Sequence, residues 1–460
     1  MFILMLFIFT VGYTLIIFEH KIKINKAASA LLLGVLTWTA YILGGKEILS
    51  LGLSRSWNEF SSQLINPLNT ETVREFIAHH QLPEHISEIA GIILFLLGAM
   101  TIVEVIDSYQ GFRILTDKIR TTKKIKLLWL ISFLTFFLSA ILDNLTTTIV
   151  MVALMRKLSR DTHDRWLFAG LIVISANSGG AWSPIGDVTT IMLWIGGQIT
   201  AVSIIKTIFI PSLVSMVVPL TILSFFIKGK IKHPSLKENE MREFVPYRDQ
   251  VTILIAGVFA LISVPVFKTY THLPPYMGML LGLGFLWFYT DLRFHFNGKK
   301  DLRKLNVNRI LKEVDTPTIL FFLGILSGVA ALQSAGHLDV LSVWLADKIG
   351  NIYVINVFIG LISSVIDNVP LVAASIGMYD VANPDAIGYA SFFVQNGDFW
   401  SFLAYCAGTG GSVLIIGSAA GVAAMGLEKI DFFWYIKHIS WLALLGYLSG
   451  ALTFWLITLI

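Results

Sequence analysis

Apolar runs alternate with short polar stretches along this chain, and the runs come in two similar sets. The first set has runs at 1–18 and 27–43, a polar stretch over 44–86 that is too polar to span, and a third run at 87–106. Segment 107–126 carries Arg113, Lys118, Arg120, Lys123, Lys124 and Lys126, with Phe112, Leu115 and Ile119 at helical intervals. That pattern predicts an interfacial amphipathic helix. Residues 127–158 are apolar but are cut in two by Asp143-Asn144. Two halves too short to cross predict a re-entrant hairpin with its polar tip at 143–148. Over 166–200 a helix starts at Trp166 and meets Gly179-Gly180, Pro184 and Gly186. Such breakers predict a discontinuous span, unwound over 178–187. A span at 204–227 closes the set.

A polar linker, 228–250, leads into the second set. Spans are expected at 251–267 and 275–290, a basic loop at 291–315, a span at 316–333 and an amphipathic segment at 338–350. A second hairpin, 352–395, has its tip at Asp367-Asn368. A second broken span, 399–427, has its break at Cys406–Ser412, and 432–459 is the last span. The predicted fold is therefore an all-α polytopic membrane protein of two inverted-topology repeats, 1–227 and 251–460. Each has five spans, one of them discontinuous, and one re-entrant hairpin, giving about ten spans plus two hairpins. Lysine and arginine crowd into 19–26, 107–126, 156–165, 228–250 and 291–315. With both termini outside, all five segments fall on the cytoplasmic side. The loop 379–398, with Asp380, Asp385 and Asp398 and no Lys or Arg, then falls outside. The first hairpin enters from the cytoplasm and the second from outside.

Composition agrees. The chain is 55% hydrophobic and 14% charged, against roughly 25% charged in soluble domains. The mean hydropathy is +0.74. The net charge of +4 sorts into loops and forms no nucleic-acid patch. The single cysteine, Cys406, excludes an internal disulfide and a cysteine metal cluster. Lys21, Lys23 and Lys26 follow the first apolar run rather than precede it, which predicts a retained span and not a cleaved signal peptide.

Carboxylates at membrane depth mark functional sites. Na⁺, a hard cation, takes oxygen ligands. Asp143, Asn144 and the hydroxyls of Thr146, Thr147 and Thr148 offer a set of them, and Asp187, Thr189 and Thr190 stand just past the first break. Asn177 precedes that break, and Thr409 and Ser412 belong to the second. Ser139 lies one helical turn before Asp143, and Ser363 stands in the same relation to Asp367. Na⁺ is assigned to Asp143 and Asn144, with Asp367 and Asn368 as the second candidate pair. Burial disfavours a carboxylate's charged form and a bound cation favours it, so a site that holds either Na⁺ or H⁺ is the minimum an exchanger needs. No cofactor is expected; Na⁺, Li⁺ and H⁺ are cargo. Plainer roles stand beside these: Asp143 and Asp367 as helix caps, the paired glycines as close helix contacts. Glu104 and Asp107 are accessory candidates or a solvated helix end. His79, His80 and His85 fit a hydrated loop better than a pH sensor.

The motifs resemble those of NhaD-type sodium/proton antiporters, within the wider ion transporter superfamily. The resemblance rests on Ser139…Asp143-Asn144-Leu145-Thr146, Asn177 through Thr190, Met100 through Asp107, Ser363…Asp367-Asn368-Val369-Pro370 and Gly408–Ser412. It implies inverted repeats, a homodimer held by scaffold domains, and a transport domain that moves as an elevator. Related symporters carry Ser-Asn-Thr at both tips and bind a dicarboxylate; here Asp replaces both serines, which favours a cation. The two halves differ: Asp187-Val188-Thr189-Thr190 in the first becomes Ser418-Ala419-Ala420-Gly421 in the second. The expectation is thus a Na⁺/H⁺ exchanger of a bacterial inner membrane, not an enzyme. The alternatives are a dicarboxylate or arsenite transporter of the same superfamily and an intramembrane aspartyl hydrolase, whose carboxylates would need to sit about 3 Å apart.

Overall fold

A computed structural model describes residues 1–62, 64, 68–116, 119, 121–231, 245–297 and 305–459. Among them the elements are helices, with isolated β-bridges at Lys123–Lys230 and Ala382–Val394 and no strand. The first half holds α1 (Phe2–Ile17), α2 (Lys26–Leu49), α3 (Leu82–Ser108), α4 (Lys124–Leu142), α5 (Asn144–Leu158), α6 (Thr162–Ala181), α7 (Val188–Ile195) and α8 (Ala201–Phe226). The second holds α9 (Tyr247–Thr271), α10 (Pro275–Asn297), α11 (Thr316–Ser334), α12 (His337–Lys348), α13 (Ile352–Ser363), α14 (Asn368–Met378), α15 (Asp398–Gly410), α16 (Ala419–Glu428) and α17 (Trp441–Thr458). Seven helical stretches among the described residues are long and apolar enough to cross a membrane. The chain is an all-α polytopic membrane protein.

Several boundaries differ from the expected ones. The stretch 44–86 is largely helical: α2 runs to Leu49, and Thr70–Glu75 passes through a π-helical turn, Phe76–Gln81, straight into α3. Val73, Phe76 and Ile77 are buried, and that apolar face holds the segment against α2, where Gly45 leaves room for Val73 and Ile77. His79, His80 and His85 therefore lie on helix rather than in a hydrated loop. His79 and His80 are exposed, while His85 Nε2 is 3.0 Å from Ser334 Oγ. Among the described residues of 107–126, the expected amphipathic helix is one turn, Arg113–Thr116, between the end of α3 and the start of α4; Phe112 and Ile119 are buried in protein instead of facing a membrane surface. Residues 117, 118 and 120 of it, 232–244 of the linker and 298–304 of the basic loop lie outside the described residues. At 19 residues, α4 is long enough to cross, so the first arm of the hairpin is not too short as expected.

Both broken spans unwind later than the glycines predict. α6 continues through Gly179-Gly180 to Ala181, and α15 continues through Cys406 to Gly410. The non-helical stretches are Trp182–Asp187 and Gly411–Ser418. The glycines serve close approach instead: a Cβ at Gly179 would collide with the Phe136 carbonyl oxygen, and one at Gly410 with that of Gly360.

Packing divides the chain into two compact units, each drawing on both halves of the sequence. One comprises Met1–Leu94, Asp315–Ile355 and Val369–Val394. Its core gathers Met5, Trp38, Tyr41, Ile48, Trp57, Phe76 and Ala331, and α2 meets α11 where Gly34 and Gly324 let the backbones touch. The other comprises Phe95–Val314, Asn356–Asn368 and Gln395–Ile460. At its centre α6 is buried without interruption from Phe168 to Ala181, including the polar Ser175, Asn177 and Ser178 near its end. Helices α4, α5, α8, α15 and α16 pack around it. Every side chain of the site described next belongs to this second unit.

Candidate ion-binding site

A single residue separates α4 from α5. Asp143 adopts φ 93° and ψ 160°, a region that only glycine occupies comfortably and that costs an L-residue roughly 1–3 kcal/mol. The side chain offsets part of this as the cap of α5. Its Oδ1 accepts from Thr146 N at 2.7 Å and its Oδ2 from Thr146 Oγ1 at 2.8 Å. Both carboxylate oxygens thus sit at a helix N-terminus, where the peptide dipoles favour negative charge.

The next residue turns the other way. Asn144, buried, donates from Nδ2 to Asp187 Oδ2 at 2.7 Å and to Asn177 Oδ1 at 3.1 Å. Asp187 is 1% exposed and caps α7: its Oδ1 accepts from Thr189 N and from Thr189 Oγ1, each at 2.9 Å. Thr190 Oγ1 donates to the Asp187 carbonyl at 2.8 Å. Asn177, fully buried, reaches onward with its Nδ2 to Ser412 Oγ and Ser418 Oγ, both at 2.9 Å. Ser418 caps α16 by accepting from Gly421 N. Asp143 and Asp187 lie within electrostatic reach of each other, and Asp187 likewise of Asp367 and of the Asn368 side chain. The first tip, both breaks and Asn368 of the second tip therefore converge on one polar cluster in an otherwise apolar interior. Among the described residues the hydrogen-bond partners of Asp143 and Asp187 are neutral hydroxyls, amides and backbone N–H groups. A cluster of carboxylate, amide and hydroxyl oxygens with no cationic side chain bonded to its charges is suited to receiving a cation.

Other expected site residues hold the frame. Ser139 Oγ donates to the Ala176 carbonyl at 2.6 Å, and Ser363 Oγ to the Ala407 carbonyl at 3.0 Å, so each serine ties a hairpin arm to a broken helix. Thr409 Oγ1 donates back to the Tyr405 carbonyl at 2.6 Å. The Thr147 and Thr148 hydroxyls are fully buried and have no hydrogen-bond partner among the described residues. Glu104 and Asp107 sit on α3, where Glu104 interacts with Asp107 and Glu313, and Asp107, exposed, with Lys157. No described contact brings that pair to the tips. Ser418 stands where the first half has Asp187 but carries no charge to mark it in the sequence; its cap position before α16 is the signal that places it. Lys268 is likewise missed by sequence reasoning. It donates to the Trp194 carbonyl at 3.0 Å from within a membrane-length helix, α9, at the far end of α7.

Membrane-length helices, two interrupted ones, and buried carboxylates gathered where the helices break define a transporter of small ions or metabolites by class. The citrate transporter family profile matches residues 13–394. Sodium/proton antiporter 1 of Arabidopsis thaliana is 46% identical over 446 residues, covering 97% of this chain and 71% of that protein. Sodium/proton antiporter 2 of the same plant is 42% identical over 452 residues, 98% of each. Na(+)/H(+) antiporter NhaD of Vibrio cholerae is 30% identical over 469 residues, 96% of this chain and 89% of that protein. The chain belongs to the citrate transporter family, among its NhaD-type antiporters. That is a family of transporters, not of enzymes, in line with the resemblance and against the hydrolase alternative.

Proposed function

We propose that this chain exchanges Na⁺ and Li⁺ for H⁺ across a membrane by alternating access, with Asp143 as the carboxylate that holds either the metal ion or the proton. The observation that carries this reading is the Asp143 carboxylate, fixed in glycine-only backbone geometry beside the Asn144–Asp187–Asn177 network. Neutralisation by a cation or by a proton are two ways of satisfying the same buried charge, and they exclude one another. Exchange follows if the protein changes its facing only when one of them is bound. The names of the Arabidopsis and Vibrio relatives support Na⁺ and H⁺.

The ligand set of this reading is Asp143, Asn144, Thr146, Thr147 and Asp187, with Thr189, Thr190, Asn177, Ser412 and Thr409 around it. Asp367 and Asn368 form a second, weaker pair. The matched serine ties and matched glycine contacts support a frame repeated in the two halves; in this reading the repeats are inverted, both termini lie outside as the loop charges suggest, and the family resemblance adds a homodimer with an elevator-like transport domain. The membrane expected from the sequence is a bacterial inner membrane; the relatives come from a plant as well as from bacteria. The family profile is described by citrate, so citrate is the competing cargo. The carboxylates of Asp143 and Asp187, whose hydrogen-bond partners among the described residues are neutral, would repel a citrate anion.

Dequenching of a pH-sensitive dye in everted vesicles tests the proposal with Na⁺, Li⁺, K⁺ and citrate. Na⁺ and Li⁺ are expected to collapse the pH gradient, and Asp143→Asn to abolish the response. A citrate-dependent signal with none for Na⁺ or Li⁺ would reassign the chain to anion transport.

A further inference from the structure

We propose that Glu428 is a positioning residue for the ion site, acting from the opposite end of three helices by locking them in register. This rests on the Na⁺/H⁺ reading above. Glu428 closes α16, and its side chain is 1% exposed. Its two oxygens take two different arginines: Oε1 accepts from Arg156 Nε at 2.7 Å and Oε2 from Arg165 Nε at 2.9 Å. Its carbonyl accepts from Trp166 Nε1 at 2.9 Å. Arg156 stands in the last turn of α5, and Arg165 and Trp166 in the first turns of α6. A carboxylate this buried is tolerated only when its charge is paired and its lone pairs are bonded in fixed geometry.

The same three helices meet again at the site. α5 begins at Asn144, α6 carries Asn177 near its end, and α16 begins just after Ser418. Asn177 is bonded to both Asn144 and Ser418. At 1.5 Å per residue, the two ties are about 18 Å apart along α5 and α6, and about 15 Å apart along α16. The helices pack pairwise between them. α6 runs antiparallel to the other two, so the structure is a three-helix bar clamped at both ends. One clamp is the proposed ion site. The other touches no proposed ligand, which makes Glu428 a positioning residue and not a member of the site. A slip of α16 by a fraction of its turn, about 5.4 Å, would carry Ser418 out of hydrogen-bond range of Asn177 and leave Asn177 free to turn away from Asn144.

The test compares Na⁺-dependent exchange in proteoliposomes for wild type, Glu428→Gln, Glu428→Asp and Arg156→Lys. Glu428→Gln is expected to raise the half-saturating Na⁺ concentration about fivefold or more with the maximal rate held within about twofold, the signature of lost binding and not lost turnover. Glu428→Asp, which keeps the charge on a shorter stem, should fall between. An unchanged half-saturation, whatever loss of folded protein accompanies it, overturns the proposal. If Glu428→Gln does not fold, Glu428→Asp and Arg156→Lys are read by the same criterion. Hydrogen exchange gives a readout that needs no transport. Glu428→Gln, or Glu428→Asp in its place, should speed amide exchange at Ser418–Val422, about 15 Å away. Unchanged exchange there defeats the lock. Absence of Na⁺-dependent flux in the wild type would instead defeat the antiport reading while the exchange data still judge the lock.

Discussion

At the first tip, Ser139 ties its hairpin arm to the Ala176 carbonyl, and Gly179 lets the Phe136 backbone come close. At the second, Ser363 ties to Ala407, and Gly410 admits the backbone of Gly360. The frames match; the charges on them do not. The helix after the first break is capped by a carboxylate, Asp187, and the helix after the second by a hydroxyl, Ser418. The tips differ too. The first is the single residue Asp143 at positive φ, while the second turns over residues 364–367 and Asp367 has no positive φ. Negative charge and backbone strain are concentrated in one half, on a frame common to both. Strain persists where the surroundings over-determine it, and here it coincides with the carboxylate proposed to exchange ions.

The largest effect should separate the two tips. Asp143→Asn is expected to bring exchange to background, whereas Asp367→Asn leaves measurable exchange, lowered about tenfold, or about 1.4 kcal/mol. Equal losses in the vesicle assay would erase the asymmetry. Next, Ser418→Ala removes one acceptor of the Asn177 amide but no charge, so the half-saturating Na⁺ concentration should rise about fivefold, matching a hydrogen bond worth about 1 kcal/mol. Asp143→Gly should be inactive yet more thermostable, because glycine relieves roughly 1–3 kcal/mol of strain and loses only a few tenths as a cap. A lower melting temperature would show that the tip is not strained. The smallest effects belong to the common frame. Ser139→Ala and Ser363→Ala should each cost about 1 kcal/mol of stability, in similar amounts, with little change in Na⁺ dependence. A large functional loss from either one alone would make that serine a ligand.

Much of the site was legible from spacing. Asp143-Asn144 and Asp367-Asn368 stood out because charge is rare in apolar runs, and both do fall at helix junctions. Asp187 was legible for the same reason. The extents of the breaks were not, since a glycine pair reads as a breaker whether it unwinds the helix or admits a neighbouring backbone. Only the positions of Phe136 and Gly360 distinguish the two uses. The 44–86 stretch misled because average polarity hid the buried face of Val73, Phe76 and Ile77.

The sequence by itself determined the solvent of this protein, the helical class, and the places where carboxylates interrupt its apolar runs. Those follow from composition and from local rules, which need no partner. Only the tertiary structure decided what each polar group meets. It aims Asn144 at Asp187 and Asn177, makes Ser418 the far end of that network, turns Ser139 and Ser363 into ties, and pairs Glu428 with Arg156 and Arg165. The Glu428–Arg165 pair is separated by more than half the chain, and no local pattern encodes a contact between residues so far apart. Hydrogen bonds are directional and short, so their partners are fixed by how the helices pack and not by where the residues fall along the chain.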